Sequence, residues 1–412
     1  MKKFIALALA AVLCLFACAA LAQDLKIGVI LVGDETEGYT LSHMNGIKEA
    51  AAALGVADNQ IIWKYKCPED QTCYDAALDC IGQGCNLVIS NSYGHQTYMV
   101  LAAEEYPDVT FVSMTGDFAA LTGLDNFKNA FTKIYEARYL SGVVAGMKVA
   151  ELLESGELSQ EKQPNSFDEN GNVKIGYVGA YDYAEVVSGY TAFFLGIRSI
   201  VPNVVMEVMY TNSWFDIDKE GAAAEALIAK GCVIIGQHAD STGAPAATQK
   251  LQDAGTLCFS VGYNIDMIPT APTAALTSPT NLWSVFYTDL FKKVVAGEAI
   301  DADWAEGFNQ DAVAITALGS SCAAGTAEKV AEVQAAIKDG TVKVFDAASF
   351  TVGGEAVTSA PVDMTIMDWA TMTVAYAGET YEAIVDGAFI ESEFRSAPYF
   401  ALRIDGITEN VQ

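Results

Sequence analysis

The stretch LKIGVILV, residues Leu25–Val32, decides the fold class of this chain, and Gly33-Asp34 follow it at once. Its apolar residues form a nearly continuous run instead of alternating with polar ones. Such a run is typical of a parallel strand that is buried on both faces. The next segment, Ser42–Leu54, has its apolar residues at helical spacing. The chain therefore opens with a buried strand followed by a helix.

Strand and helix patterns continue to alternate in a first unit, which ends near residue 114, and then in a second. A long helix pattern at Tyr135–Leu153 and a polar loop at Glu154–Asn172 separate the two units. Regular alternation with short connections predicts an α/β fold in which each unit is a doubly wound parallel sheet flanked by helices. The predicted later strands are Ile61–Tyr65, Asn86–Ser90, Val109–Met114, Val173–Val178, Val204–Tyr210, Cys232–Gly236 and Leu257–Gly262.

Two helix patterns, Trp283–Val295 and Val330–Lys338, precede a C-terminal tail that is rich in strand patterns. Glycine, aspartate and threonine at intervals mark turns between these short strands. We therefore expect a β-rich extension that covers part of the protein. Its predicted strands are Val342–Phe345, Phe350–Val352, Thr380–Val385 and Tyr399–Ile404.

Composition limits the possible functions. The chain has 412 residues, of which 52% are hydrophobic and 18% charged, so it can bury two cores and is not a disordered protein. Its 23 Lys and Arg residues oppose 52 Asp and Glu residues, which gives a formal net charge of −29. Such a surface repels phosphate backbones, and we therefore expect no nucleic-acid partner.

The first 22 residues have the features of a secretory signal peptide. Met1-Lys2-Lys3 is a positive start, Phe4–Leu21 is apolar, and Ala20-Leu21-Ala22 is a small-x-small cleavage site. These features predict an exported, periplasmic or otherwise extracytoplasmic protein, and the short run disfavours a membrane span. Leu15–Cys18 also resembles a bacterial lipobox, so a lipid tether through Cys18 stays open beside cleavage after Ala22.

Metal and catalytic motifs are scarce. The cysteines beyond the leader are odd in number, so disulfides leave at least one thiol over, and the sequence does not fix their pairing. The spacings Cys67-x5-Cys73 and Cys80-x4-Cys85 fit no compact zinc knuckle. Neither a phosphate-binding glycine loop nor a Gly-x-Ser-x-Gly elbow is present. We expect no metal, no cofactor and no catalytic residue.

The informative residues follow the predicted strands, where open α/β sheets bind their ligands. Aromatic, amide and acidic residues recur there in both units, and all three histidines are among them. Any one of them can serve merely as a helix cap or core residue, so the ensemble carries the argument. Aromatic side chains from two units suit a flat ring, while amides and carboxylates suit its edge groups. The candidate ligand-binding residues are Tyr39, His43, Asn91, Tyr93, Tyr183, Glu185, Trp214, His238, Asp240, Asn264 and Asp266.

Four stretches resemble the basic membrane protein (BMP) family. They are Ile134–Gly142, Thr211–Asp216, Gly236–Ser241 and Gly262–Met267, and the resemblance runs from about Leu25 to the tail. The family consists of substrate-binding proteins of ABC importers and includes purine nucleoside receptors. The resemblance implies a two-lobed type I periplasmic binding protein, a hinge crossed three times, a purine-type ligand and an ABC permease as partner.

The resemblance also implies residue roles. A purine ring would stack between Tyr39 and Tyr183, while Asn91, Glu185 and Asp266 would meet its edge. Many nucleoside-binding members carry a lysine shortly after a Thr-Ser pair, placed to meet ribose. This chain instead has Asn281 after Thr277-Ser278-Pro279-Thr280, which favours a free base such as adenine over a nucleoside. Asn281 and the nearby Trp283 complete the set of candidates.

The predicted organisation has four parts. Residues 1–22 form the signal peptide, 23–131 plus 264–310 lobe I, 132–263 plus 311–345 lobe II, and 346–412 a β-rich extension packed on a lobe. We expect a non-enzymatic exported receptor. Alternatives are a binding protein for another small ring or a lipophilic autoinducer, a sensor domain that signals to a receptor kinase, and an exported nucleoside hydrolase. The hydrolase would use Glu185 or Asp240, beside His238, as its general base.

Overall fold

The structure is a computed structural model that describes residues 24–368 and 373–410. The predicted signal peptide and Cys18 lie outside the described residues. The strands are β1 (Ile27–Ile30), β2 (Ile61–Lys64), β3 (Leu87–Ser90), β4 (Thr110–Met114), β5 (Phe127–Thr132), β6 (Val173–Gly179), β7 (Val204–Tyr210), β8 (Ile234–Gln237), β9 (Phe259–Val261), β10 (Ala275–Thr277), β11 (Pro279–Asn281), β12 (Asp303–Glu306), β13 (Val313–Ile315), β14 (Thr351–Val352), β15 (Glu355–Ala356), β16 (Pro361–Asp363), β17 (Ile366–Asp368), β18 (Thr373–Tyr376), β19 (Thr380–Glu382), β20 (Ile384–Val385), β21 (Ala388–Phe389) and β22 (Ile407–Asn410).

Helices connect most of these strands. The α-helices are α1 (Gly38–Leu54), α2 (Gln71–Gly82), α3 (Gln96–Glu105), α4 (Ala119–Thr122), α5 (Ile134–Glu154), α6 (Ala184–Ile200), α7 (Ile217–Ala229), α8 (Gly243–Asp253), α9 (Trp283–Ala296) and α10 (Thr326–Lys338). Short 3₁₀ turns lie at Asp58–Gln60, Tyr93–His95, Pro164–Ser166, Phe308–Gln310 and Ala347–Ser349. In the described ranges, no helix combines the length and the apolar character needed to cross a bilayer.

Two six-stranded parallel sheets form the two lobes. Their strand orders are β2-β1-β3-β4-β5-β12 and β22-β7-β6-β8-β9-β10. The first strand of each unit lies between the second and the third, so the strand order reverses at β1/β3 and at β6/β8. Such switch points open a crevice at the carboxyl ends of the strands. The predicted fold of two parallel sheets flanked by helices is confirmed.

The buried runs of the sequence explain the sheet positions. All four residues of β1 are buried, and the strand pairs in register with both neighbours, since Ile27 faces Ile61 on one side and Leu87 on the other. In the second unit β6 is buried at every position except Lys174. Continuous apolar strands are covered by helices on both faces, which is the arrangement expected of parallel sheets.

The chain passes repeatedly between the lobes. It leaves the first sheet after β5 for α5, which packs on α6 of the second lobe. It returns after β10 and β11 to α9, which packs on α1. After β12 it crosses again, to β13 and to α10, which packs on α5. The strands β11 and β13, which lie along these passages, form an antiparallel pair.

Several predicted boundaries differ from the structure. β10 pairs with β9 in the second sheet, although it falls within the 264–310 range predicted for lobe I, because the chain continues from β9 along the same sheet edge. β5 and β12 escaped prediction because polar residues such as Lys128, Asn129 and Asp303 interrupt their apolar runs. The remaining lobe boundaries stay a prediction.

The C-terminal extension has a different strand pattern from the predicted one. Val342–Phe345 and Tyr399–Ile404 are not strands, whereas β22 is one and pairs in parallel with β7 of the second sheet. The aromatic residues of both wrong segments instead join the core, where Phe345 and Phe400 stack at 4.3 Å between ring centroids. The extension also reaches the first lobe, where Tyr376 packs on Phe118 at 5.2 Å.

Candidate ligand-binding site

A cavity of about 610 Å³ lies between the carboxyl ends of the two sheets. Its walls come from loops after β1, β3, β4, β6, β7, β8 and β9, so it occupies the crevice that the switch points predict. The C-terminal extension contributes a further part of the wall. The lining residues are Val32, Glu37, Tyr39, Glu69, Asn91, Ser92, Tyr93, Thr115, Asp117, Phe131, Asp182, Tyr183, Ala184, Glu185, Trp214, Asp240, Tyr263, Arg395, Ala397 and Pro398.

Aromatic rings from both lobes face this cavity. Tyr93 of the first lobe and Tyr183 of the second are 41% and 52% exposed, unusually high values for tyrosines beside a core. Two other rings pack against Tyr183. Its ring centroid lies 5.4 Å from that of Tyr181, on which it stacks, and 6.1 Å from that of Trp214. Exposed rings on opposite walls provide faces that can stack on a flat ligand.

Tyr39 is held more firmly than these two rings. Its hydroxyl donates to the Asn91 carbonyl at 2.7 Å, and its ring meets His43 edge-on at 4.5 Å. Burial of the hydroxyl raises the pKa of Tyr39 well above its usual value. Helix α1 begins earlier than predicted, at Gly38, so Tyr39 lies in its first turn. Tyr183 has a similar place in the second lobe, as the N-cap residue of α6.

Two carboxyls from opposite lobes meet at the cavity wall. Glu37 accepts a hydrogen bond from the Thr40 hydroxyl, and Asp240 accepts one from Asn264 Nδ2 at 2.7 Å. The lobes touch here, since the Gly38 amide donates to the Asp240 carbonyl at 3.4 Å. Burial raises the pKa of both acids, and the charge of Glu37 raises that of Asp240 further. The pair therefore resists simultaneous ionisation.

The cavity wall is strongly acidic. Among the described residues, its lining includes six acids and one cationic side chain, Arg395. The negative potential of those acids that are ionised disfavours anionic ligands, whereas carboxylates accept N–H donors of a neutral or cationic ring. Despite these acids, in residues 24–368 and 373–410 no three His, Cys, Asp or Glu side chains come together as a potential metal site. The acids are Glu37, Glu69, Asp117, Asp182, Glu185 and Asp240.

A buried network behind the second-lobe wall orients Glu185. His238 Nε2 lies 2.8 Å from Glu185 Oε1. Burial and the positive charge of Arg138 lower the pKa of His238 to about 4. His238 is therefore neutral at physiological pH and donates one N–H to Glu185. The Arg138 guanidinium lies 3.7 Å from the ring centroid of Tyr263 and donates to the Gln237 carbonyl at 2.6 Å.

Two predicted ligand-binding residues belong to the core instead. His43 stacks on Trp283 at 4.3 Å between centroids, and its Nδ1 lies 2.6 Å from the Tyr287 hydroxyl. Both side chains are buried between α1 and α9, and burial lowers the pKa of His43 to about 3. Neither lines the cavity, because His43 on α1 and Trp283 on α9 pack against each other where the two helices meet.

Four more candidates, all of them polar, stand behind or away from the cavity wall. Asn264 bonds Asp240, and Asn281 Nδ2 donates in turn to Asn264 Oδ1 at 3.2 Å, so these amides support the acid from behind. Asp266 is exposed and accepts the Ile268 amide at 2.9 Å, a local cap. His238 supports Glu185 in the same indirect way. Direct ligand contact by these residues was predicted from sequence, and their positions do not support it.

The other candidates line the cavity, together with residues that the sequence analysis missed. Those present are Tyr39, Asn91, Tyr93, Tyr183, Glu185, Trp214 and Asp240. Asp117 follows β4, so the strand-end rule by itself was sufficient to find it. Glu69 lies in the loop between β2 and α2, so the same rule applies to it, whereas Phe131 lies inside β5 and carries no such signal. Arg395 comes from the extension, where neither periodicity nor a motif indicates proximity to a cleft.

The two-lobed fold is that of the type I periplasmic binding proteins. An ABC transporter solute-binding protein of Aeropyrum pernix has the same fold, with a TM-score of 0.62 at 16% identity, over 78% of this chain and 93% of that one. Residues 26–346 then match the Bmp family, described as PnrA-like ABC transporter substrate-binding proteins, and the chain belongs to this family. The predicted family is confirmed.

Relatives with established names fall in the same class. A purine-binding protein of Brucella abortus is 33% identical over 276 residues, which cover 67% of this chain and 70% of that protein. A protein of Haloferax volcanii, whose name describes an ABC transporter glucose-binding protein, is 34% identical over 220 residues. Those residues cover 53% of this chain and 49% of that relative. The family implies a small-molecule ligand and an ABC transporter as partner.

Proposed function

We propose that this protein is the extracytoplasmic receptor of an ABC importer and captures a purine-type ligand, with a free base such as adenine favoured over a nucleoside. The observation that carries the proposal is the pair of exposed rings, Tyr93 and Tyr183, on opposite walls of one acidic cavity. This pair takes Tyr93 in place of the predicted Tyr39, whose hydroxyl is held by the Asn91 carbonyl. A purine gains apolar burial and stacking on both of its faces from such walls. The Brucella relative, named as purine-binding, supports the same reading.

The acidic wall of the cavity restricts the charge of the ligand. Ring N–H groups of a neutral purine can donate to the side chains of Glu185 and Asp240 at the wall. A nucleotide would bring a phosphate into the same negative potential and lose affinity. The ligand in this proposal is therefore unphosphorylated.

The choice of a free base over a nucleoside depends on whether the cavity has side chains that could bind a ribose. The predicted ribose position, Asn281, lies behind Asn264 and is buried, so it contributes to the wall only indirectly. No lysine stands among the described lining residues. This supports a base over a nucleoside, although a cavity of about 610 Å³ has room for either.

The proposal also includes export of the protein from the cytoplasm. Residues 1–22 would direct secretion and be removed, with lipidation at Cys18 as the alternative to cleavage after Ala22. Mass spectrometry of the mature N-terminus distinguishes the two, since a lipidated chain starts at Cys18 and a cleaved one at Gln23.

The test is isothermal titration calorimetry of ligand-free protein with adenine, hypoxanthine, adenosine, AMP and glucose, with each ligand recovered afterwards by chromatography. We expect the bases to bind best, AMP to bind least of the purine compounds, and every ligand to be recovered intact. Binding of glucose with no purine binding would contradict the proposal. Release of base and ribose from adenosine would instead establish the nucleoside hydrolase.

A further inference from the structure

The extension beyond the family match reaches the cavity. The family match ends at residue 346, yet Arg395, Ala397 and Pro398 line the wall. The backbone at this point is fixed to the first lobe, because the amide and hydroxyl of Ser396 both donate to Asp303 Oδ1 at 2.8 Å. Residues 395–398 are therefore a part of the cavity wall that is held in place by hydrogen bonds to the first lobe.

Arg395 is anchored at one end of its guanidinium. Its Nη1 lies 3.2 Å from Asp117 Oδ2, and both side chains are largely buried. Asp117 is already well satisfied, since it also accepts from Gln96 Nε2 at 3.1 Å and from the Tyr93 hydroxyl at 3.3 Å. The carboxylate thus fixes the guanidinium beside Tyr93, one of the two exposed rings.

The same guanidinium has donor capacity left over. Its Nε is buried and has no hydrogen-bond partner among the residues that the structure describes. A buried charged donor without a partner costs free energy, so a partner is expected in the working state. Because Arg395 lines the cavity, a small rotation of its side chain would bring this covered donor within reach of a bound ligand.

We infer that Arg395 is a ligand-contacting residue that determines specificity, and that the extension completes the binding site. The inference rests on the proposed function but replaces its example of adenine: among free purine bases, Arg395 favours a 6-oxopurine. The fork of a guanidinium matches the adjacent O6 and N7 acceptors of a 6-oxopurine, whereas adenine presents an amino group in place of O6. The acids of the opposite wall match the N1–H donor, which a 6-oxopurine has and adenine lacks.

The test is the hypoxanthine-to-adenine affinity ratio, measured by calorimetry in wild type, Arg395→Met and Arg395→Lys. We expect Arg395→Met to weaken hypoxanthine binding by about tenfold or more, the typical effect of losing a charged hydrogen bond, and adenine binding much less. Arg395→Lys keeps a positive charge beside Asp117 but loses the fork, so it should fold and still lower the ratio.

Glu393→Gln is the matched control. Glu393 pairs with Lys133 at 2.7 Å two residues from Arg395, also ties the extension to the body, and does not line the cavity. It should leave both affinities unchanged. The inference is wrong if Arg395→Lys binds both bases with wild-type affinity, or if Arg395→Met lowers the affinities for both bases equally. In either case Arg395 only holds the extension in place. A wild-type protein that binds neither base overturns the proposed function itself.

Discussion

Tyr183 tests the stacking arrangement at the residue scale. About half of its side chain faces the cavity, and it is backed by Tyr181 and Trp214. Tyr183→Ala should weaken ligand binding by roughly 1–3 kcal/mol, the range found for aromatic stacking on bases. Tyr65→Ala is the control, because Tyr65 is 44% exposed and stacks on Trp63 outside the cavity. Equal calorimetric affinities in the two variants would contradict ring stacking.

Glu220 gives a pH-dependent prediction. It is buried in α7 and accepts the amides of Asp216 and Ser241, and burial raises its pKa to about 7. An acid whose folded-state pKa is raised stabilises the fold below its unfolded-state value, and that contribution is lost as pH rises through 7. Glu220→Gln keeps an acceptor oxygen but does not titrate. Its free energy of unfolding, relative to wild type, should therefore increase by up to about 3 kcal/mol from pH 4.5 to 8.

Urea unfolding of both proteins across this pH range measures that difference. Acids that do not interact with Glu220 titrate in wild type and variant alike, so their contributions cancel in the comparison. Asp240, whose pKa the charge of Glu220 raises, contributes to the difference in the same direction. A stability gap that stays constant with pH would show that Glu220 titrates with an ordinary pKa.

The positions of the cavity residues show which parts of the site can be predicted from the sequence. Tyr39, Asn91 and Tyr183 were predicted at the cavity because the strand-end rule depends only on local order along the chain. His43 obeys the same rule, yet its side chain points into the core, since helix rotation and not chain order decides which face is exposed. Arg395 depends on tertiary packing of the extension, for which the sequence carries no periodic signal.

At the scale of elements, α5 and α6 form an unusually close contact. A Cβ on Gly196 would lie 2.1 Å from the Tyr139 carbonyl oxygen, and one on Gly142 would lie 2.1 Å from that of Phe193. The helix patterns were predicted from apolar spacing, but spacing does not reveal which glycines let two backbones touch. The same limit explains β22, whose strand pairing with β7 depends on a partner some 200 residues away in sequence.

Gly196→Ala should therefore destabilise the protein by about 2 kcal/mol or more, because a backbone atom cannot move aside. Gly82→Ala is the matched control: Gly82 ends α2, and a Cβ there meets nothing within 4 Å. Alanine at that site should be neutral or slightly stabilising. Chemical denaturation compares the two, and similar midpoints would show that the α5–α6 contact is looser than described.

The whole molecule combines a large negative charge with a cleft of the same sign. The formal net charge is −29, and the described lining of the cavity has six acids and one arginine. Long-range repulsion and the local wall therefore act together on an anionic ligand. We predict that AMP binds at least about tenfold more weakly than its base, and that high salt narrows the difference because mobile ions screen the repulsion.

Calorimetry with adenine and AMP at low and high salt checks this prediction. Adenosine is the matched control, because it carries the ribose without the phosphate and should show little salt dependence. AMP affinity equal to that of adenine at low salt would contradict an electrostatic gate.

We propose above that the cavity between the two lobes holds a purine ring. Native mass spectrometry of the protein as purified, followed by denaturation and identification of anything released, tests it most directly. We expect the released compound to have the mass of a free purine base, and specifically of a 6-oxopurine if Arg395 contacts the ligand. Release of a hexose or another compound without a purine ring would contradict it, as would an empty protein that no purine stabilises against heat.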